Sequence, residues 1–156
     1  MRVCGQCYAP NFNRRHRRSG ALWQGRFKSC LVDSDRYLMT VYRYIELNPV
    51  RAHMVERPED DWWSSVHANL NHYLDDLVTP HFVYLGIDCD PDRRAEAYRA
   101  WLRQGVNDEE LSLIRNHLQQ ERALGDVKFQ AMLERTLGRP VAVRLRGRPS
   151  RKPSAL

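Results

Sequence analysis

The chain has 156 residues, of which 42% are hydrophobic, enough to close one ordinary core or a small core with an extension. Its apolar runs are short and Met1-Arg2-Val3-Cys4 opens no apolar stretch, so neither a membrane span nor a signal peptide is expected, no membrane partner is expected, and the expected compartment is the cytoplasm. A formal charge of +6 and a pI near 9.4 admit polyanions as partners.

The distribution of charge says more than its sum. No acidic residue precedes Asp33, whereas Arg2, Arg14, Arg15, Arg17, Arg18, Arg26 and Lys28 all do. None follows Glu134, and the tail carries Arg139, Arg144, Arg146, Arg148, Arg151 and Lys152. From Glu59 to Asp92 there is no Lys or Arg. Two basic ends around an acidic middle fit separate surfaces for a phosphate backbone and for solvent.

In chain order, Gly5 and Pro10 weaken any long helix before Asn11. Arg26 to Val32 reads as a strand, with Trp23 and Phe27 expected in the core. Asp33 or Ser34 caps a helix to about Leu47 whose core stripe is Leu38, Val41, Tyr42 and Ile45, and Asn48-Pro49 ends it. Pro49 then opens a short second helix. A short helix is expected around Ser64 to Leu70, and another from Pro91 to about Arg103 with Ala95, Tyr98 and Leu102 on one side. Asn107 caps a helix bearing Leu111, Ile114 and Leu118, and Gly125 separates it from a last helix over about Asp126 to Leu137, ended by Gly138 and Pro140. From Val141 onward the chain reads as a basic tail. The whole is mainly α with a small β component, and a lone strand lacks a ladder partner.

Gly25-Arg26-Phe27-Lys28-Ser29-Cys30-Leu31-Val32-Asp33-Ser34, then Tyr42-Arg43-Tyr44-Ile45-Glu46-Leu47-Asn48-Pro49-Val50-Arg51-Ala52 and Trp62-Trp63-Ser64-Ser65, resemble the REP-associated tyrosine transposases of the HUH single-strand DNA transposase superfamily. The resemblance implies a partial ferredoxin-like α+β domain over residues 1–72, matching the carboxy-terminal part of the family pattern; the caps, periodicity and composition of the rest read as a helical extension at 73–138 and a basic flexible tail at 139–156. It implies a DNA transposase acting on single-stranded or hairpin DNA, with Tyr44 in the place of the nucleophile that attacks a phosphodiester; the alternative is a non-catalytic DNA-binding or regulatory module. A divalent metal such as magnesium is expected for the family, to polarise the phosphate. The family's histidine-hydrophobic-histidine ligand pair has no counterpart among His16, His53, His67, His72, His81 and His117, so no metal ligand is assigned. Glu46 either assists a metal or is solvated, and a homodimer stands open beside a monomer.

Arg14, Arg15, Arg17, Arg18, Arg26 and Lys28 are the candidate DNA contacts, with a solvated charge run as the alternative for the first four; Asn11, Phe12 and Asn13 can add amide and stacking contacts. In the tail, Leu145-Arg146-Gly147-Arg148-Pro149 resembles the core of an AT-hook, which makes Arg146 and Arg148 candidates for the minor groove. Cys4-Gly5-Gln6-Cys7 has the spacing of half a zinc site, but Cys30 and Cys89 stand alone and far off, so unlinked thiols are expected.

Overall fold

The polypeptide builds helices that pack around buried polar groups as much as around apolar ones. A computed structural model describes residues 2–23 and 25–144. In order these form α1 (Arg2–Arg15), α2 (Ser34–Glu46), α3 (Asn48–Arg51), a single 3-10 turn (Pro58–Asp60), α4 (Val66–Asn69), α5 (Phe82–Leu85), α6 (Pro91–Leu102), α7 (Asp108–Gln120) and α8 (Val127–Leu137). Among the described residues no helix is long and apolar enough to cross a membrane.

The expected ferredoxin-like α+β domain is not present. There is no sheet among the described residues, and the expected strand from Arg26 to Val32 forms only one isolated parallel bridge, between Val32 and Leu124. Leu124 N–H donates to Leu31 O and Asp33 N–H to Leu124 O, each at 2.8 Å, and Ala123 N–H donates to Val141 O at 3.0 Å. These bonds tie three distant segments together without a ladder. With no second strand to pair, residues 25–30 run irregularly and leave Phe27 57% exposed, against the expectation of a core position.

A second departure lies at the amino terminus, where α1 runs unbroken through Gly5 and Pro10. Pro10 removes one ladder donor, but Asn11 Nδ2 donates to Cys7 O at 2.9 Å, and Tyr8, Phe12 and His16 contact one another at four-residue spacing. The helix ends in a Schellman turn: Arg17 is left-handed (φ 50°) and Arg18 N–H donates to Asn13 O at 2.9 Å. Arg14 and Arg15 occupy its last turn, where cations suit the dipole.

The later helices follow their caps. Asp90 accepts from Asp92 and Arg93 N–H, Asn107 and Glu110 form a reciprocal capping box, and Asp126 accepts from Phe129 N–H. Gly138 (φ 62°) is the left-handed stop of α8. Asp33 precedes α2 with extended backbone but makes no side-chain cap bond.

The core is Val66, Leu70, Tyr84, Tyr98 and Leu102, with Met39, Tyr42, Leu47, Ile87 and Trp101 packed against it. It therefore sits among α2, α4, α5 and α6. The fully buried residues of α2 are Arg43 and Glu46, while Ile45, expected in the stripe, is 55% exposed. The helix is turned so that its buried face carries a cation and a carboxylate, both partnered. A smaller apolar group of Ile114, Ala123, Leu124 and Val141 is also buried, so the chain is still packed at Val141.

Candidate functional site

α2 positions Tyr44 two residues before its last residue, Glu46, and the Asn48-Pro49 turn brings α3 back so that Arg51 Cζ lies 4.7 Å from the centre of the Tyr44 ring. Arg51 Nη2 donates to Asn48 Oδ1 at 2.8 Å, which fixes the guanidinium against the phenol; its Nε and Nη1 are buried and have no hydrogen-bond partner among the described residues. Tyr44 itself is half-buried, and its hydroxyl makes no hydrogen bond to any of the described residues. A shallow cleft of about 470 Å³ beside α3 is lined by Val50, His53, Met54, Val55 and Glu56 and does not include Tyr44.

The residues present do not fit the metal that the family resemblance implies. The charged group against Tyr44 is a guanidinium, which repels a cation, and the nearest carboxylate along α2 is committed elsewhere. Glu46 is only 1% exposed; its Oε1 accepts from Ser65 Oγ at 2.7 Å and Asn69 Nδ2 at 2.6 Å, and its Oε2 accepts from the Tyr98 hydroxyl at 2.8 Å. Burial pushes its carboxyl above the ordinary carboxylate value, against the opposing pull of those three donors. Neither a metal ligand nor a solvated group, Glu46 is the polar centre of the core. Among the described residues no three His, Cys, Asp or Glu side chains gather where they could hold a metal ion. Cys7, Cys30 and Cys89 are free thiols.

The basic candidates divide. Arg14, Arg15, Arg17 and Arg18 lie together, all exposed, at the end of α1 and its turn, and Arg26 and Lys28 are exposed on the irregular segment that follows. Arg14 Nη2 donates to Asn11 Oδ1 at 3.3 Å, Arg18 Cζ lies 5.9 Å from the Phe12 ring centre, and Lys28 Nζ reaches Gln119 O at 3.5 Å. None of the six is in an ion pair among the described residues, where the pairs are Arg36 with Asp126, Arg43 with Glu110 and Arg57 with Asp60. Among the described residues no hydrogen bond or ring contact joins this segment to Tyr44, whose neighbouring cation is Arg51. Arg146 and Arg148, with the AT-hook-like segment around them, lie outside the described residues.

Arg51 escaped the sequence reading as a site residue although it stands seven positions after Tyr44; a turn at Asn-Pro is what folds that spacing into contact. Trp23, expected in the core because an aromatic residue in a sequence is first assigned there, is 52% exposed, and Tyr8, which the sequence did not single out, is 54% exposed. Compared with protein-family models, with curated proteins and with solved structures, the chain finds no match.

Proposed function

We propose that this chain is a DNA-binding module related to the single-strand DNA transposases, which engages the phosphate backbone through Arg14, Arg15, Arg17, Arg18, Arg26 and Lys28. One observation carries the reading: all six cations are exposed, none pairs with a carboxylate among the described residues, and no acidic residue precedes Asp33. Arginine forks match phosphate oxygens in pairs, and a segment of one sign attracts a strand before contact is made.

A second reading, strand cleavage by Tyr44, is favoured by a hydroxyl that makes no hydrogen bond to any of the described residues and by the Arg51 guanidinium at its ring. In that reaction the phenol oxygen bonds to phosphorus, the DNA sugar oxygen leaves, and the phenol proton passes to that leaving oxygen or to water.

Incubation of the full chain with a single-stranded hairpin oligonucleotide separates the two. On a native gel, a shift that persists in Tyr44→Phe supports the binding module. On a denaturing gel, a covalent adduct that Tyr44→Phe abolishes supports cleavage. A chain that shifts no DNA at low salt overturns the proposal.

A further inference from the structure

α1 carries a row of aromatic rings at the surface. Tyr8, Phe12 and His16 stand one turn apart on one face, with ring centres 5.8 Å apart for the first pair and 4.3 Å for the second. The turn at Gly20, whose φ of +94° suits glycine, sends the chain back so that Trp23 lies 5.9 Å from Tyr8. Asn13 Nδ2 holds that turn by donating to Gly20 O at 3.0 Å. Tyr8 remains 54% and Trp23 52% exposed.

Rings placed for packing alone lose most of their surface to neighbours; Tyr8 and Trp23 keep about half of theirs open to solvent, while Phe12 between Tyr8 and His16 is partly covered. Tyr8 is tilted from its neighbours, by 31° from Phe12 and 45° from Trp23 with ring centres 5.8 and 5.9 Å away, so Tyr8 and Trp23 are not stacked face to face, whereas Phe12 lies closer against His16. Arg14, Arg15, Arg17 and Arg18 emerge at the carboxyl end of the same helix, and Arg18 lies over Phe12. Flat apolar faces beside unneutralised guanidinium groups match a strand whose bases are unpaired: each base offers a π-face, and each phosphate an anion. A duplex offers the phosphates but keeps its base faces stacked within the helix.

We infer that Tyr8, Phe12, His16 and Trp23 form a stacking platform for the unpaired bases of single-stranded DNA, with the four arginines of the α1 terminus holding its phosphates. The inference rests on the DNA-binding reading above and adds to it a requirement for bases.

The test is fluorescence anisotropy of the full chain with three labelled DNAs of about twelve nucleotides: oligothymidylate, an abasic strand of the same length and charge, and a duplex. Oligothymidylate should bind about tenfold or more tightly than the abasic strand, as stacking of one or two bases gives. Replacing Tyr8 and Trp23 together by Leu, which keeps apolar bulk and removes the π-faces, should abolish that margin, leave abasic affinity within about twofold and leave circular-dichroism helicity unchanged; replacing both by Phe should retain the margin. Equal, salt-sensitive affinity for all three DNAs overturns the platform and spares the DNA-binding reading. No binding to any of them overturns both. A Leu pair that weakens abasic and oligothymidylate binding alike also overturns the platform.

Discussion

The Tyr98 hydroxyl donates a 2.8 Å hydrogen bond to the Glu46 carboxylate from 52 positions away in sequence, and so joins α6 to α2 at the centre of the core. Ser65 and Asn69 reach the same carboxylate from the edge of α4, and the Tyr84 hydroxyl donates to Asn69 O at 2.6 Å. Tyr84 and Tyr98 meet edge to face, 5.4 Å between ring centres. Three helices thus converge on one polar group, with α5 joined through Asn69, and its removal strands the buried donors of Asn69 and Tyr98 and the half-buried Ser65 hydroxyl. Glu46→Ala should lower unfolding free energy by about 3 kcal/mol or more, and Tyr98→Phe by about 1–3 kcal/mol, read by urea denaturation. A loss under 1 kcal/mol in Glu46→Ala would show that the network contributes little.

The same carboxylate sets a pH dependence. Its folded pKa is raised, first by burial, so between the ordinary carboxylate value of about 4.5 and the higher folded value the native state holds a proton that the unfolded chain has lost. Stability from this group is therefore fully present below the unfolded value and declines as pH rises towards and through the folded one. Glu46→Gln cannot titrate, so the stability of the parent chain minus that of the variant should fall with rising pH across this window. A difference that stays flat from pH 4 to 8 contradicts the assignment.

Much of this arrangement was legible in the sequence, and the failures share a cause. Asn107, Asp126 and Gly138 cap their helices as their positions suggest, because caps are local chemistry. Ala95, Tyr98 and Leu102 are buried at helical spacing, as the periodicity of α6 indicates. α2 misled because its apolar stripe competes with Arg43 and Glu46, whose partners Glu110 and Tyr98 lie 67 and 52 residues away. The segment from Arg26 to Val32 has strand-like residues, but a strand exists only with a neighbour, and the one neighbour it finds is Leu124. Tyr44 and the cations are singled out by motif and charge, which depend on sequence alone; their relation to Arg51 and to the ring row depends on turns.

Arg43 is a second buried charge, only 6% exposed, with Nη2 2.8 Å from Glu110 Oε1 and Cζ 4.2 Å from the centre of the Trp101 ring. It links α2, α6 and α7, and Glu110 also belongs to the α7 capping box. Arg43→Met should destabilise by about 2–4 kcal/mol, and a double-mutant cycle with Glu110→Gln should give a coupling of about 1–3 kcal/mol. Additive single effects would show that the pair is not coupled.

Gly125 is closed to side chains for a steric reason. A Cβ there would overlap the edge of the Phe129 ring, 2.9 Å from its Cγ and 3.0 Å from its Cε1, where the chain turns into α8. Gly125→Ala should cost about 1–3 kcal/mol by displacing the ring, and Phe129→Ala in the same chain should remove most of the added cost. If alanine at 125 is neutral by thermal denaturation, the ring does not occupy this position in solution.

The central claim is that exposed, unneutralised arginines at the end of α1 bind DNA phosphates. It is tested most directly by the slope of log affinity against log salt concentration for a single-stranded oligonucleotide, in the parent chain and in a variant with Arg14, Arg15, Arg17 and Arg18 all changed to Gln. Each phosphate neutralised on a single strand contributes about 0.7 to the slope, so the variant should bind more weakly and its slope should be shallower by about 3. An unchanged slope and affinity in the variant would contradict the account.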